Sequence, residues 1–146
     1  MPPKITAMLV MDGERRAPLL GVLESCCIEV LVVDDCHEAR RLLETRPPLR
    51  VVVTDTTLPD GDWRRVLEIV GQELSSRIEV VVACSCVGDP KLWLDVLEQG
   101  GYDVLVEPYQ REEVRRIVEA AAAKSIHANT HQKATNARLH GVGQRS

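Results

Sequence analysis

Five times along its first ~125 residues this chain alternates a short apolar run with a longer amphipathic stretch. No other feature limits its fold so strongly. The apolar runs are Ile5–Met11, Ile28–Val33, Arg50–Thr54, Ile78–Cys84 and Asp103–Val106. They are near-continuous Val, Leu and Ile, the pattern of strands covered on both faces. The stretches between them predict helices over Arg15–Ser25, His37–Thr45, Trp63–Leu74, Pro90–Gln99 and Gln110–Lys124. Pro47-Pro48 ends the second helix, and Gly100-Gly101 ends the fourth. Strand–helix repeats of this kind build an α/β fold, a (βα)5 doubly wound parallel five-stranded sheet with helices on both faces. The strand order 2-1-3-4-5 is one of two common for the class. It puts strand 2 at an edge and strands 1 and 3 side by side at the centre.

The 146 residues suit one domain with a real core, and 45% apolar with 27% charged residues is ordinary for a globular protein. We expect one domain over residues 1–125. From Ile126 to Ser146 the sequence is polar and poor in large apolar residues, which predicts a basic, disordered tail. Net charge is −4, and Lys133, Arg138 and Arg145 give the tail +3, which leaves −7 elsewhere by subtraction. An acidic domain is a poor nucleic-acid binder, because phosphates need clustered Lys and Arg. Apolar runs of roughly 4–8 residues fall well short of the ~20 that span a bilayer, so no membrane insertion is expected. Five cysteines without a CxxC pair favour neither a disulfide framework nor zinc, and suit a reducing cytoplasm.

Two acidic runs compete for the site. VLVVDD, from Val30 to Asp35, ends strand 2; MLVMDG, from Met8 to Gly13, ends strand 1. Strand 3 leads into VVVTDTTLPDGDW, with Asp55 at its carboxyl tip. In open α/β sheets ligands bind where the strand order reverses, here between strands 1 and 3. Asp12 and Asp55 should therefore face one another. Asp34 and Asp35 are better read as N-caps of the second helix. Only 20 positions separate Asp35 from Asp55, room for one helix and no more.

With these motifs in place, the sequence resembles the receiver domain of two-component response regulators, which has the flavodoxin-like fold. Strand 1 of that family ends in an ILVVDDE-like segment, matched by MLVMDGE. Strand 3 ends in a D-x-x-L-P-D-G-like segment, matched by Asp55 to Gly61. Strand 4 ends in a hydroxyl residue, matched by Ser85. Strand 5 leads to a G-A-D-x-x-x-K-P-F-like segment, matched by Gly100 to Tyr109. The resemblance covers about residues 4–124. It implies that Asp55 is a phosphoacceptor, that Ser85 donates to the phosphoryl group, and that Mg²⁺ is held by Asp12, Asp55 and the Thr57 carbonyl. It also implies a sensor histidine kinase or another signalling protein as partner, a cytoplasmic location, a homodimer as one assembly, and no enzymatic turnover.

The chain departs from the pattern at three positions. Gly13 replaces the second strand 1 carboxylate, with Glu14 next to it. Glu107 replaces the Lys that would bind a phosphoryl oxygen. Val104 stands where the family often has a switching aromatic. Asp12, Asp55 and Glu107 would then form a carboxylate cluster that recruits a divalent cation or shares a proton. Two functions compete: a receiver phosphorylated on Asp55, and a phosphorylation-independent pseudo-receiver working through protein contacts. An aspartate-nucleophile phosphatase would need D-x-D on strand 1, and flavin or nucleotide binding would need a phosphate loop; neither is present. Glu107-Pro108 is expected to be cis, after the family's Lys-Pro.

Overall fold

The computed structural model describes residues 4–45, 47–72, 77–84 and 90–139, with side chains through residue 125. Seven strands and five helices follow in the order β1 (Thr6–Val10), α1 (Ala17–Ser25), β2 (Glu29–Val33), α2 (Cys36–Glu44), β3 (Val51–Asp55), β4 (Thr57–Leu58), β5 (Gly61–Asp62), α3 (Trp63–Gly71), β6 (Glu79–Cys84), α4 (Pro90–Glu98), β7 (Asp103–Val106) and α5 (Arg111–Leu139). The main sheet is parallel, in the order β2-β1-β3-β6-β7. Taken as the five sheet strands in chain order, this is the expected 2-1-3-4-5. The antiparallel pair β4-β5 was not anticipated; two residues a side leave no periodicity to read.

Strand β1 shows why the sheet is covered on both faces. Ala7, Leu9 and Met11 join one cluster, with Leu19 and Leu23 of α1 and Val114, Ile117, Val118 and Ala121 of α5. Met8 and Val10 join the opposite cluster, with Ala39 and Leu43 of α2 and Val66, Ile69 and Val70 of α3. Alternate residues point to opposite faces, so a doubly covered strand must be apolar at every position. All five residues from Ala7 to Met11 are at most 1% exposed.

Helix ends follow local chemistry. Asp35 caps α2 by accepting from the Glu38 amide at 2.9 Å, and Asp62 caps α3 by accepting from the Arg64 amide at 3.0 Å. The predicted stop of α4 holds: Gly100 sits at φ +102 and the Gly101 N–H donates to the Val96 carbonyl at 2.8 Å. Helix α1 ends less comfortably, with Cys27 at φ 63 where glycine normally stands.

Within the stretch from Ile126 that is expected to be disordered, the described backbone continues α5 to Leu139. No Gly or Pro interrupts residues 126–139, so nothing in the local sequence breaks the helical hydrogen bonds before Gly141. Low hydrophobicity removes tertiary packing, a separate requirement. The expected end of α3 at Leu74 lies outside the described residues.

Candidate functional site

Strands β1 and β3 are paired in register, Val10 with Thr54, so the chain segments beyond them emerge side by side at the carboxyl edge of the sheet. Asp55 closes β3 and is 1% exposed. After β1 the chain turns sharply. Asp12 Oδ1 accepts from the Glu14 amide at 2.8 Å, and the Asp12 carbonyl accepts from the amides of Arg15 and Arg16 at 3.1 and 3.2 Å. An Asp at this place folds the loop back on itself.

That turn aims two consecutive arginines at two different strand ends. Arg15 reaches Asp55: Nη2 donates to Oδ1 at 3.3 Å, and Nε lies 2.7 Å from Oδ2. The Nε contact is ionic and poorly directed, so Oδ2 accepts no well-aligned hydrogen bond among the described residues. Oδ1 also accepts from the Thr56 amide at 2.7 Å. Arg16 turns the other way. Its Nη1 donates to the Met11 carbonyl at 3.2 Å and to Asp34 Oδ1 at 2.6 Å.

Asp34 and Asp35 thus divide their work. Asp35 is the N-cap, as expected, whereas Asp34 binds Arg16 instead of capping. A second carboxylate helps hold α2. Asp60 accepts from the amides of Cys36 and His37 at 2.8 and 3.0 Å. Burial alone would raise the Asp60 pKa, but these amides outweigh it and hold it below the usual carboxylate value. Asp60 was legible in the sequence only as part of the segment after Asp55.

On the far side of the site the Glu107 N–H donates to the Cys84 carbonyl at 3.0 Å, and Glu107-Pro108 is cis, as expected. Pro18, Val22, Glu107, Pro108 and Tyr109 line a groove of about 480 Å³. Burial pushes the Tyr109 phenol up to about 12, aided by the negative charges of Glu107 and Asp55 and opposed by Arg15. Glu107, Asp55 and Arg15 therefore all act on the Tyr109 phenol. Ser85 lies outside the described residues. Thr57 is exposed and sits in β4, paired with Asp62.

The expected carboxylate cluster of Asp12, Asp55 and Glu107 is corrected: among the described residues no three His, Cys, Asp or Glu side chains come together to hold a metal. The Arg15 guanidinium pairs with Asp55 instead. Sequence reading missed Arg15 because the search for a cation followed the family's Lys to position 107. Its signal was the Arg15-Arg16 pair, three residues past Asp12 at the mouth of the site.

The donor set does not fit Mg²⁺ as arranged. That ion needs near-octahedral oxygen ligation, usually with one or two protein carboxylates. Both oxygens of Asp55 face Arg15, Asp12 Oδ1 is engaged by an amide, and Gly13 offers no side-chain ligand. A divalent cation at Asp55 would also sit against a positive charge.

No protein-family model matches the chain. Among curated proteins it is 30% identical over 108 residues to "Two-component response regulator ARR10" of Arabidopsis thaliana, which spans 73% of this chain and 19% of that relative. It is 29% identical over 102 residues to "Two-component response regulator ORR11" of Oryza sativa subsp. indica, 70% of this chain and 69% of that one. The chain thus spans under a fifth of the first relative's length. Its fold matches the receiver domain of Francisella response regulator 1452 with a TM-score of 0.70 at 20% identity, over 83% of this chain and 98% of that one. It also matches the receiver domain of sensor histidine kinase PA1611 from Pseudomonas aeruginosa PAO1, which has a magnesium ion coordinated in its active site cleft. That match has a TM-score of 0.68 at 22% identity, over 83% of this chain and 99% of that one.

Proposed function

We propose that this chain, a relative of the two-component response regulators with the receiver-domain fold, works as a phosphorylation-independent pseudo-receiver. One observation carries the reading. The position that would accept phosphate, Asp55, is 1% exposed and closed into an ion pair with Arg15 at 2.7 Å. An aspartate attacks phosphorus through a free carboxylate oxygen, and a positive charge held against both oxygens lowers their nucleophilicity. Glu107 adds a negative charge where an incoming phosphoryl group would need a positive one.

On this reading the module is not an enzyme. It acts in the cytoplasm through protein contacts, with a sensor histidine kinase, another signalling protein or a second copy as partner. The exposed Trp93, Leu94 and Leu97 on α4 support a contact surface. Acidic composition argues against nucleic acid. Incubation with acetyl phosphate and Mg²⁺, followed by intact mass measurement, tests the proposal. No Mg²⁺-dependent phosphoryl gain is expected, with Asp55→Asn as control; a gain absent only in the mutant would refute it.

The second reading keeps Asp55 as phosphoacceptor in a phosphorelay. It is favoured by the Arg15 guanidinium itself, whose planar fork suits phosphoryl oxygens. Ser85 would then donate to the phosphoryl group. Mg²⁺ on Asp12, Asp55 and the Thr57 carbonyl fits this reading only once Arg15 has left Asp55.

A further inference from the structure

We infer that Arg15 is the resident cation of this site: its guanidinium holds the place beside Asp55 that a divalent metal would need, and it makes the site independent of metal. The inference rests on the proposed closed state of Asp55 and names what closes it. Three observations carry it. Arg15 approaches both carboxylate oxygens, Nη2 at 3.3 Å and Nε at 2.7 Å. Its side chain is 47% exposed, so it enters the site from the solvent side, the path an ion would take. The third observation concerns Gly13. Its φ is not in the left-handed region, and a Cβ there would meet only Arg16 Nη2, at 3.7 Å, and Arg16 Cζ, at 4.0 Å, ordinary contact distances. The backbone does not require glycine at 13. A Cβ is accommodated there, so chain geometry does not account for the missing carboxylate.

Gly13 and Arg15 therefore make one device. The pair removes a negative ligand and supplies a positive group two residues later. The negative charge of Asp55 is balanced by the same loop that would otherwise present a metal ligand. A divalent cation can bind only by expelling Arg15 or by tolerating it nearby.

The test uses Mn²⁺ as the probe, because it takes the same oxygen ligands as Mg²⁺ and broadens nearby amide resonances. The full ¹⁵N-labelled chain is titrated as wild type, Gly13→Asp, and Gly13→Asp with Arg15→Gln. The wild type should show no saturable broadening at Thr56. The double variant should bind saturably, at least ~tenfold more tightly than Gly13→Asp alone, since a divalent charge ~4 Å from a guanidinium is repelled even at the dielectric of water. Equal binding by Gly13→Asp and the double variant would overturn the inference, as would a double variant that does not bind.

If the double variant fails to fold, the wild type still decides the matter through its melting temperature with and without millimolar Mg²⁺. Specific binding to the native state would raise it. No shift is expected, and a saturable rise lost in Asp55→Asn would overturn the inference. The two proposals fail separately. Phosphorylation of Asp55 by acetyl phosphate in the presence of a chelator would refute the closed acceptor yet leave Arg15 as its cation. Saturable Mn²⁺ binding by the wild type would refute Arg15 even if Asp55 never takes phosphate.

Discussion

Replacing Arg15 with Gln should cost more stability than replacing Asp55 with Asn, and the two changes should not add. The pair lies at 2.7 Å. Its gross attraction at that separation runs from about 1.5 kcal/mol at the dielectric of water to about 6 kcal/mol at an effective dielectric of about 20. Asp55 is 1% exposed and Arg15 47%, so solvent screens one partner only. Ordering the Arg side chain opposes the attraction by up to about 2 kcal/mol. What remains is a coupling of about 1–3 kcal/mol, above that of a typical surface pair. Arg15→Gln strands a buried carboxylate on the Thr56 amide and a long Thr56 hydroxyl contact of 3.4 Å. That should cost about 2–4 kcal/mol, somewhat less than for a fully buried pair. Asp55→Asn lets Arg15 swing into water and should cost about 1 kcal/mol. Urea unfolding of both single variants and the double variant, followed by fluorescence of the buried Trp63, completes the cycle. A coupling below about 0.5 kcal/mol, or an Asp55→Asn variant as unstable as Arg15→Gln, would refute the ion pair as the state of Asp55 in solution.

Three further outcomes follow from the packing and from the shifted groups. Gly101→Ala should destabilise by about 1–3 kcal/mol in the same urea assay, because its Cβ would collide with Val96 Cγ1 and lie 3.1 Å from the Val96 carbonyl oxygen; a neutral result would show that α4 shifts freely against β7. The Tyr109 phenol, pushed from 10.0 up to about 12 by burial and then by Glu107 and Asp55, should stay protonated in the folded chain while the unfolded chain ionises. The unfolded state then binds fewer protons, so stability should fall as pH rises between about 10 and about 12, and Tyr109→Phe should flatten that slope. Cys36 is 3% exposed, and burial followed by the Asp60 charge pushes its thiol up to about 12, so iodoacetamide at neutral pH should label exposed Cys27 first and Cys36 only on unfolding; peptide mass mapping reads the order.

The architecture was legible because its signals are local. A strand buried on both faces must be apolar at each position, so Ala7 to Met11 could be read within one short window. The Asp35 cap and the Gly100 stop are also chemistry within a turn. The strand order, taken as one of two common for the class, placed Asp55 at the central carboxyl edge. For residues 126–139 composition reports on the lack of core packing, whereas the helical backbone of α5 continues there because no Gly or Pro interrupts it.

The site was decided by tertiary structure. Arg15 and Asp55 are 40 positions apart, as Cys36 and Asp60 are 24, and no periodicity links either pair. Arg15 and Arg16 are the same residue type, one position apart; the turn after Asp12 sends one to β3 and the other to β2. Residue types could announce that carboxylates gather at this edge. Which cation answers each depends on how a loop folds between two strands, and that is set by the register of β1 against β2 and β3.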